Sequence, residues 1–272
     1  MDLKKYQDKV NFLIYGYIDT IKDEKLQEMV NYSLDGGKRL RSVICMYLLD
    51  NFNIENNELI VAIEILHCSS LILDDLPCMD NDDYRRDKLT FHKKYGTKYA
   101  YKVSSFLFNE FNRIILELNN TNIINYVFDN LMLIVKGQYY DLGFESKILS
   151  INDSIYNNNL KTYPFFVIAF MVPFYLSNIN IDCFRDDIDK LALNFSTAFQ
   201  IYDDFIDYEN DLKTQNFNHI KLIGNIKTYD LYTKSINTFV NLCKKHNIYG
   251  KLMIDIINYL NNNLCNYIND FQ

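Results

Sequence analysis

Three prolines and eight glycines punctuate 272 residues, and so few turn-formers cannot supply the many tight turns of a sandwich or barrel of strands. Long helices are the alternative, and apolar spacing agrees. Leu3, Tyr6, Val10, Leu13, Ile14 and Tyr17 recur three and four residues apart, which predicts a helix over 3–18. The same reading predicts helices over 19–34, from Lys38 through Leu49, and over 58–73, 98–118, 122–145, 153–177, 185–208 and 229–270. Glu58 to Leu73 is apolar nearly all round, as in a helix buried at the centre of a fold. The expectation is an all-α protein. No repeat, long linker or break in composition interrupts it, so residues 1–272 read as a single domain.

Composition narrows the function. A net charge of −7 and a pI near 5.1 argue against nucleic acid as a partner. The six cysteines form no CxxC pair and most lie in apolar runs, which suits a reducing compartment and no zinc site. The N-terminus MDLKKYQDKV lacks the apolar core of a signal peptide, so a cytoplasmic protein is expected. The most apolar run, Tyr163 to Leu176, contains Pro164 and Pro173 and falls short of the roughly 20 residues a membrane span needs.

Chemistry concentrates in Leu71 to Arg86, LILDDLPCMDNDDYRR, where acids and two arginines follow an apolar helix. A second acidic group, Asp203, Asp204 and Asp207, also ends an apolar segment. Asp203 and Asp207 are one helical turn apart, where their repulsion destabilises the helix unless a cation lies between. Pro77 should stop the buried helix and let the chain curl, so that Asp74 and Asp80 reach one point. Carboxylates without histidine or thiolate partners are hard ligands suited to Mg²⁺ held jointly with phosphate oxygens. The bases fit that substrate. Lys38, Arg39 and Arg41 follow the paired glycines Gly36-Gly37, and Arg85-Arg86 follow the acids; arginine forks and lysine charges both bind phosphate. The group from Lys93 to Lys98 reads equally well as surface ion pairs. His67 lies in the buried helix and by itself reads more readily as a hydrogen-bonded core histidine than as a ligand.

In chain order the motifs are Gly36-Gly37-Lys38-Arg39-Leu40-Arg41, Glu64 to His67, Asp74-Asp75 to Asp80, Arg85-Arg86, Gly137-Gln138 to Asp141-Leu142, Lys161-Thr162, and Phe199-Gln200 to Asp203, Asp204 and Asp207. With these the chain resembles the trans-isoprenyl diphosphate synthases, the farnesyl and geranylgeranyl diphosphate synthase family. The resemblance implies the isoprenoid synthase fold, a bundle of helices around a central apolar cavity, and a homodimer. It implies a Mg²⁺-dependent prenyltransferase that joins an allylic diphosphate (dimethylallyl, geranyl or farnesyl) to isopentenyl diphosphate, with three ions per active site.

Carried over residue by residue, the resemblance makes Asp74, Asp75, Asp80, Asp203 and Asp207 the metal ligands. Arg85 would touch the allylic diphosphate, and Lys38, Arg41, His67 and Arg86 the isopentenyl diphosphate. Lys161, Thr162 and Gln200 would line the reacting centre, with Lys161 steadying the developing allylic cation. Small Ser69 and Ser70, one turn before the acids, and the inserted Pro77-Cys78 look like a geranylgeranyl-forming member. Asp87, Leu89, Val103, Ser104, Tyr163 and Phe217 depart from the family pattern, leaving Lys213 or Lys221 to replace a lysine usually found near Phe217. The C-terminus, Asn269 to Gln272, lacks the usual basic tail. Two alternatives stay open: a non-catalytic partner subunit of an active synthase, and a terpene cyclase, which would not need Lys38, Arg41 and His67.

Overall fold

The computed structural model describes residues 1–141, 151–177, 179–209, 211 and 217–268. Among them it has twelve α-helices, one short 3-10 turn at Ile181–Cys183 and one two-stranded hairpin. Residues 4–126 form one compact unit, and residues 127–272 with 1–3 form another.

The first unit contains α1 (Leu3–Asp19), α2 (Glu24–Leu34), α3 (Leu40–Asn51), α4 (Asn57–Asp74), the strands β1 (Tyr84–Arg85) and β2 (Lys88–Leu89), α5 (Phe91–Tyr95) and α6 (Thr97–Glu117). Helix α1 buries Tyr6, Val10, Ile14 and Ile18, the face its spacing predicts. Helix α2 begins later than expected because Asp23 caps it, accepting the Leu26 N–H at 2.8 Å. Asn56 does the same for α4, accepting the Leu59 N–H at 2.9 Å. From Leu59 to Ile72 α4 is buried on nearly every side, packed against α2, α3 and α6. It ends at Asp74, before Pro77 is reached.

Helix α7 (Thr121–Asp141) begins in the first unit and belongs mostly to the second; positions 142–145 of the expected helix lie outside the described residues, as does Leu142. There follow α8 (Ile151–Leu176), α9 (Arg185–Ile206), α10 (His219–Ile223), α11 (Asn225–Lys245) and α12 (Lys251–Ile268). Helix α8 continues through Pro164 and Pro173. Burial holds it, since every residue from Phe165 to Val172 is in the core. Phe166 of α8 meets Phe195 of α9 edge-on, with ring centres 5.0 Å apart, and Phe170 meets Phe239 of α11.

The single helix expected over 229–270 is two. Asn247 takes a left-handed conformation (φ 56°) and the Ile248 N–H reaches back to the Cys243 carbonyl at 2.9 Å, closing α11 with a Schellman turn. The hairpin and the five-residue helices α5 and α10 are too short to leave a periodic signal, and the sequence reading has none of them. No described helix is long and apolar enough to cross a membrane.

Candidate functional site

In the first unit the chain leaves α4 through a turn wrapped around buried Leu76, with Pro77 and Cys78 exposed. The Met79 and Asn81 N–H groups bond to the Leu76 carbonyl at 2.9 and 3.0 Å, and the Asp80 N–H bonds to the Asp74 carbonyl at 2.9 Å. The turn therefore brings Asp80 back to the end of α4 beside Asp74. Asp75 is directed elsewhere. It is buried, and Arg85 donates to its Oδ1 from Nε at 2.6 Å, with Nη2 also 2.6 Å away. Burial pushes the Asp75 carboxyl above its ordinary range, and the guanidinium pulls against that shift. Asp75, expected among the metal ligands, gives its Oδ1 to Arg85 in this structure.

Arg86 and Asp87 form the centre of the hairpin turn, with φ of 54° and 61°, and the strands pair Tyr84 with Leu89 and Arg85 with Lys88. Two consecutive positive φ angles are what a two-residue turn matched to strand twist requires. The turn lays the Arg86 guanidinium on Gly37, where a β-carbon would come within 2.8 Å of Nη2. Arg41 donates from Nη1 to His67 Nε2 at 3.3 Å. Burial first, then Arg41, Arg86, Arg85 and Arg39, hold the His67 imidazole well below its usual pKa, so the ring is neutral at pH 7. Lys38 and Arg41 are half-buried at the start of α3.

Of the remaining bases, Lys88 pairs with Asp35, Lys93 pairs with Asp83 at 2.7 Å, and Lys94 lies 3.7 Å from the centre of the Tyr32 ring. Ser69 is buried and faces α6: its Oγ lies 3.0 Å from the Ser104 carbonyl and 2.9 Å from the Ser104 Oγ, which itself donates to the Ser69 carbonyl at 3.0 Å. Ser70 is half-buried and donates to the His67 carbonyl at 2.9 Å. The atypical Ser104 is thus matched to Ser69.

In the second unit the Asp207 N–H bonds to the Asp203 carbonyl at 2.9 Å, which keeps both at the end of α9, one turn apart. Asp204 is held otherwise. Its Oδ2 accepts the His219 N–H at 2.7 Å and lies 2.5 Å from His219 Nδ1, while Asn218 donates to its carbonyl at 2.9 Å. Lys161 and Thr162 are half-buried on α8, and Gln200 is buried on α9, the helix packed against it. Gly137 allows α7 to lie on α8 at this level, since a β-carbon there would come within 2.9 Å of the Leu160 and Lys161 backbone. Phe217 packs edge-on against His219, ring centres 5.0 Å apart, and Lys221 donates to the Asp211 carbonyl at 3.1 Å. Lys213 and Asn269 to Gln272 lie outside the described residues.

The donor set fits magnesium: oxygen ligands only, with Asp80 folded back to Asp74 and Asp207 one turn from Asp203. Among the described residues no three carboxylate, imidazole or thiol groups converge into a ready cage.

The sequence model of the polyprenyl synthetase family matches residues 23–220. The chain belongs to the polyprenyl synthetase family. The farnesyl diphosphate synthase of Buchnera aphidicola subsp. Schizaphis graminum (strain Sg) is 30% identical, over 89% of this chain and 92% of its own length. The geranyltranstransferase structure of Thermotoga maritima superposes with a TM-score of 0.84 at 25% identity, covering 96% of this chain and 99% of that one. The Helicobacter pylori geranyltransferase, solved with magnesium and isoprenyl diphosphate, has a TM-score of 0.76 at 22% identity and covers 97% of both chains. The fold is that of the isoprenoid synthases, and the polyprenyl synthetase is an enzyme of the trans-prenyltransferase type.

Two features of this family member escaped the sequence reading. Arg39 and Glu64 form a buried ion pair, Nη1 to Oε1 at 2.7 Å, although Arg39 stood in one row with Lys38 and Arg41. The signal was Glu64, the one acid between Leu59 and Leu73. The His219 clamp on Asp204 had no signal in spacing. A groove of about 720 Å³ lies apart from these charges and is lined by Phe12, Met46, Asp8, Asp50 and Glu55 among others. Its acids outnumber its single lysine, Lys9, so it does not suit a diphosphate.

Proposed function

We propose that the chain is a magnesium-dependent synthase that condenses an allylic diphosphate with isopentenyl diphosphate head to tail and releases geranylgeranyl diphosphate, with residues 1–272 acting as one polyprenyl synthase domain. The supporting observation is the turn that returns Asp80 to Asp74 directly ahead of Arg85 and Arg86. The family match also runs unbroken across both compact units.

Asp74 and Asp80, with Asp203 and Asp207, would hold the magnesium ions, three in all. When bound, the ions offset the charge of the diphosphate and make it a better leaving group. The chain's own groups do the rest. Arg85, aimed by Asp75, takes the allylic diphosphate. Lys38, Arg41 and Arg86 take the isopentenyl diphosphate, with neutral His67 as a hydrogen-bonding neighbour. Lys161, Thr162 and Gln200 present dipoles and one charge to the allylic carbon from which the diphosphate departs, and the isopentenyl double bond attacks there. The departing diphosphate can take the proton released, so no side-chain nucleophile is required. Apolar side chains at the reacting centre would exclude the water that quenches a cation.

Half-buried Ser70, in place of an aromatic ring, supports a product longer than farnesyl. A homodimer is part of the proposal, supported by the exposed apolar stripe Phe128, Met132, Val135 and Tyr139 on α7. Purified protein given Mg²⁺, isopentenyl diphosphate and labelled dimethylallyl, geranyl or farnesyl diphosphate should make longer prenyl diphosphates and stop when EDTA is added. No elongation of any primer would put the partner-subunit reading in its place.

A further inference from the structure

The turn that presents the isopentenyl-binding bases is strained. Gly36, Gly37 and Arg39 have φ of 79°, 97° and 56°, so three of four consecutive residues are left-handed, one of them an arginine. A non-glycine residue costs roughly 1–2 kcal/mol in that region, and such a conformation persists only where its surroundings over-determine it. Here they do. Arg39 is buried and spends its guanidinium on three sides: Nη1 on Glu64 Oε1 at 2.7 Å, Nε on Asn11 Oδ1 at 3.0 Å, and Nη2 on the Leu34 carbonyl, which closes the turn on itself. Glu64 is oriented by Ser42, which donates to its second oxygen at 2.9 Å. Gln7 ties the Lys38 carbonyl at 2.9 Å, and Arg86 rests on Gly37 with a contact to the Asp35 carbonyl at 3.4 Å.

We infer that Arg39 is the positioning residue for isopentenyl diphosphate recognition: its buried guanidinium holds the turn that places Lys38 and Arg41 and gives Arg86 its seat. The inference rests on the substrate assignment above. A buried ion pair is weak as a source of stability, because desolvation offsets much of its attraction. What this pair adds is a fixed backbone. The pair lies among the isopentenyl-binding bases, whereas Arg85, for the allylic diphosphate, is aimed by Asp75. Loosening the turn should therefore weaken one substrate and spare the other.

The test compares the wild-type chain with Arg39→Lys and Asn11→Ala. Lysine keeps the charge but cannot reach Glu64, Asn11 and Leu34 together; the half-buried Asn11 can be truncated without opening the core. Isopentenyl diphosphate is titrated calorimetrically, and KM is measured for both substrates. The expected result is an isopentenyl diphosphate Kd raised by about tenfold in Arg39→Lys, equivalent to about 1.4 kcal/mol, and a smaller rise in Asn11→Ala. The allylic KM should stay within about twofold of wild type in each. Equal affinities in all three proteins would overturn this inference alone, as would equal losses for both substrates. Should Arg39→Lys fail to fold, Asn11→Ala decides on the same criterion. Absence of isopentenyl diphosphate binding by the wild-type chain would remove the substrate assignment and this inference with it.

Discussion

Gly37 has no room for a β-carbon, and what fills the space is Arg86, reached by the chain only after α3, α4 and the acidic turn. The paired glycines are legible in the sequence; that Gly37 seats a side chain of the same protein is a tertiary fact. Gly37→Ala would put a carbon within 2.8 Å of the guanidinium at a φ of 97°. The expected outcome is displacement of Arg86, an isopentenyl diphosphate KM raised by about tenfold, and a loss of about 1–2 kcal/mol in unfolding free energy. Kinetics and denaturant titration read both. An unchanged KM would mean that Arg86 keeps its role from another position. At the floor of the proposed tunnel the structure separates two residues that looked equivalent. Ser69 is engaged with Ser104, whereas Ser70 is half-buried. Ser70→Phe should therefore shorten the product, as chromatography of the dephosphorylated alcohols would show. A product unaltered in length would place the floor elsewhere.

Among elements, α9 and α11 are joined by charge as well as by phenylalanines. Asp187 lies in the first turn of α9, and Lys245 and His246 lie at the end of α11; Lys245 pairs with Asp187, and His246 Nε2 is 2.9 Å from it. Acid at a helix start and base at a helix end each favour the helix dipole. These partners hold the Asp187 carboxyl below its ordinary value of 3.8. A depressed folded-state pKa contributes stability above the unfolded value and loses it as pH falls through the folded one. Asp187→Asn should accordingly lower stability by about 1 kcal/mol at neutral pH, and the difference should shrink below about pH 4. Unfolding curves at pH 7 and pH 3 check this; a gap that persists at the lower pH would show that charge is not its cause. Periodicity made α1, α3, α4, α6, α8 and α9 legible because each carries several turns of regular burial. It failed between α11 and α12, where apolar spacing runs on through Asn247 and Gly250 and the break is made by the left-handed Asn247 and the hydrogen bond from Ile248 to Cys243.

For the molecule as a whole, motif order was the legible part and mutual orientation was not. The acids, bases and glycines occur in an order that names a family, yet the sequence could not tell Arg39, a buried strut, from Lys38 and Arg41, nor Asp75 from Asp74. Those distinctions depend on partners distant in the chain. Assembly is the remaining property at this scale. On α7, Phe128, Met132, Val135 and Tyr139 recur at helical spacing along one exposed face, and Met132 is 65% exposed. A monomer gains nothing from such a stripe. Light scattering should give a dimer mass for the wild-type chain and half of it for Met132→Glu. A wild-type monomer would discard the dimer, and a dimeric variant would discard this face.

The two serines that join α4 to α6 are also an evolutionary constraint. Their hydroxyls lie 2.9 Å apart in the core; loss of one hydroxyl leaves the other its bond to a backbone carbonyl, but a larger side chain at either position would overlap the other serine, an overpacking cost of about 1–3 kcal/mol. In descendants of this gene, positions 69 and 104 should change as a pair, and a lineage that acquires an aromatic ring at one should show a compensating substitution at the other.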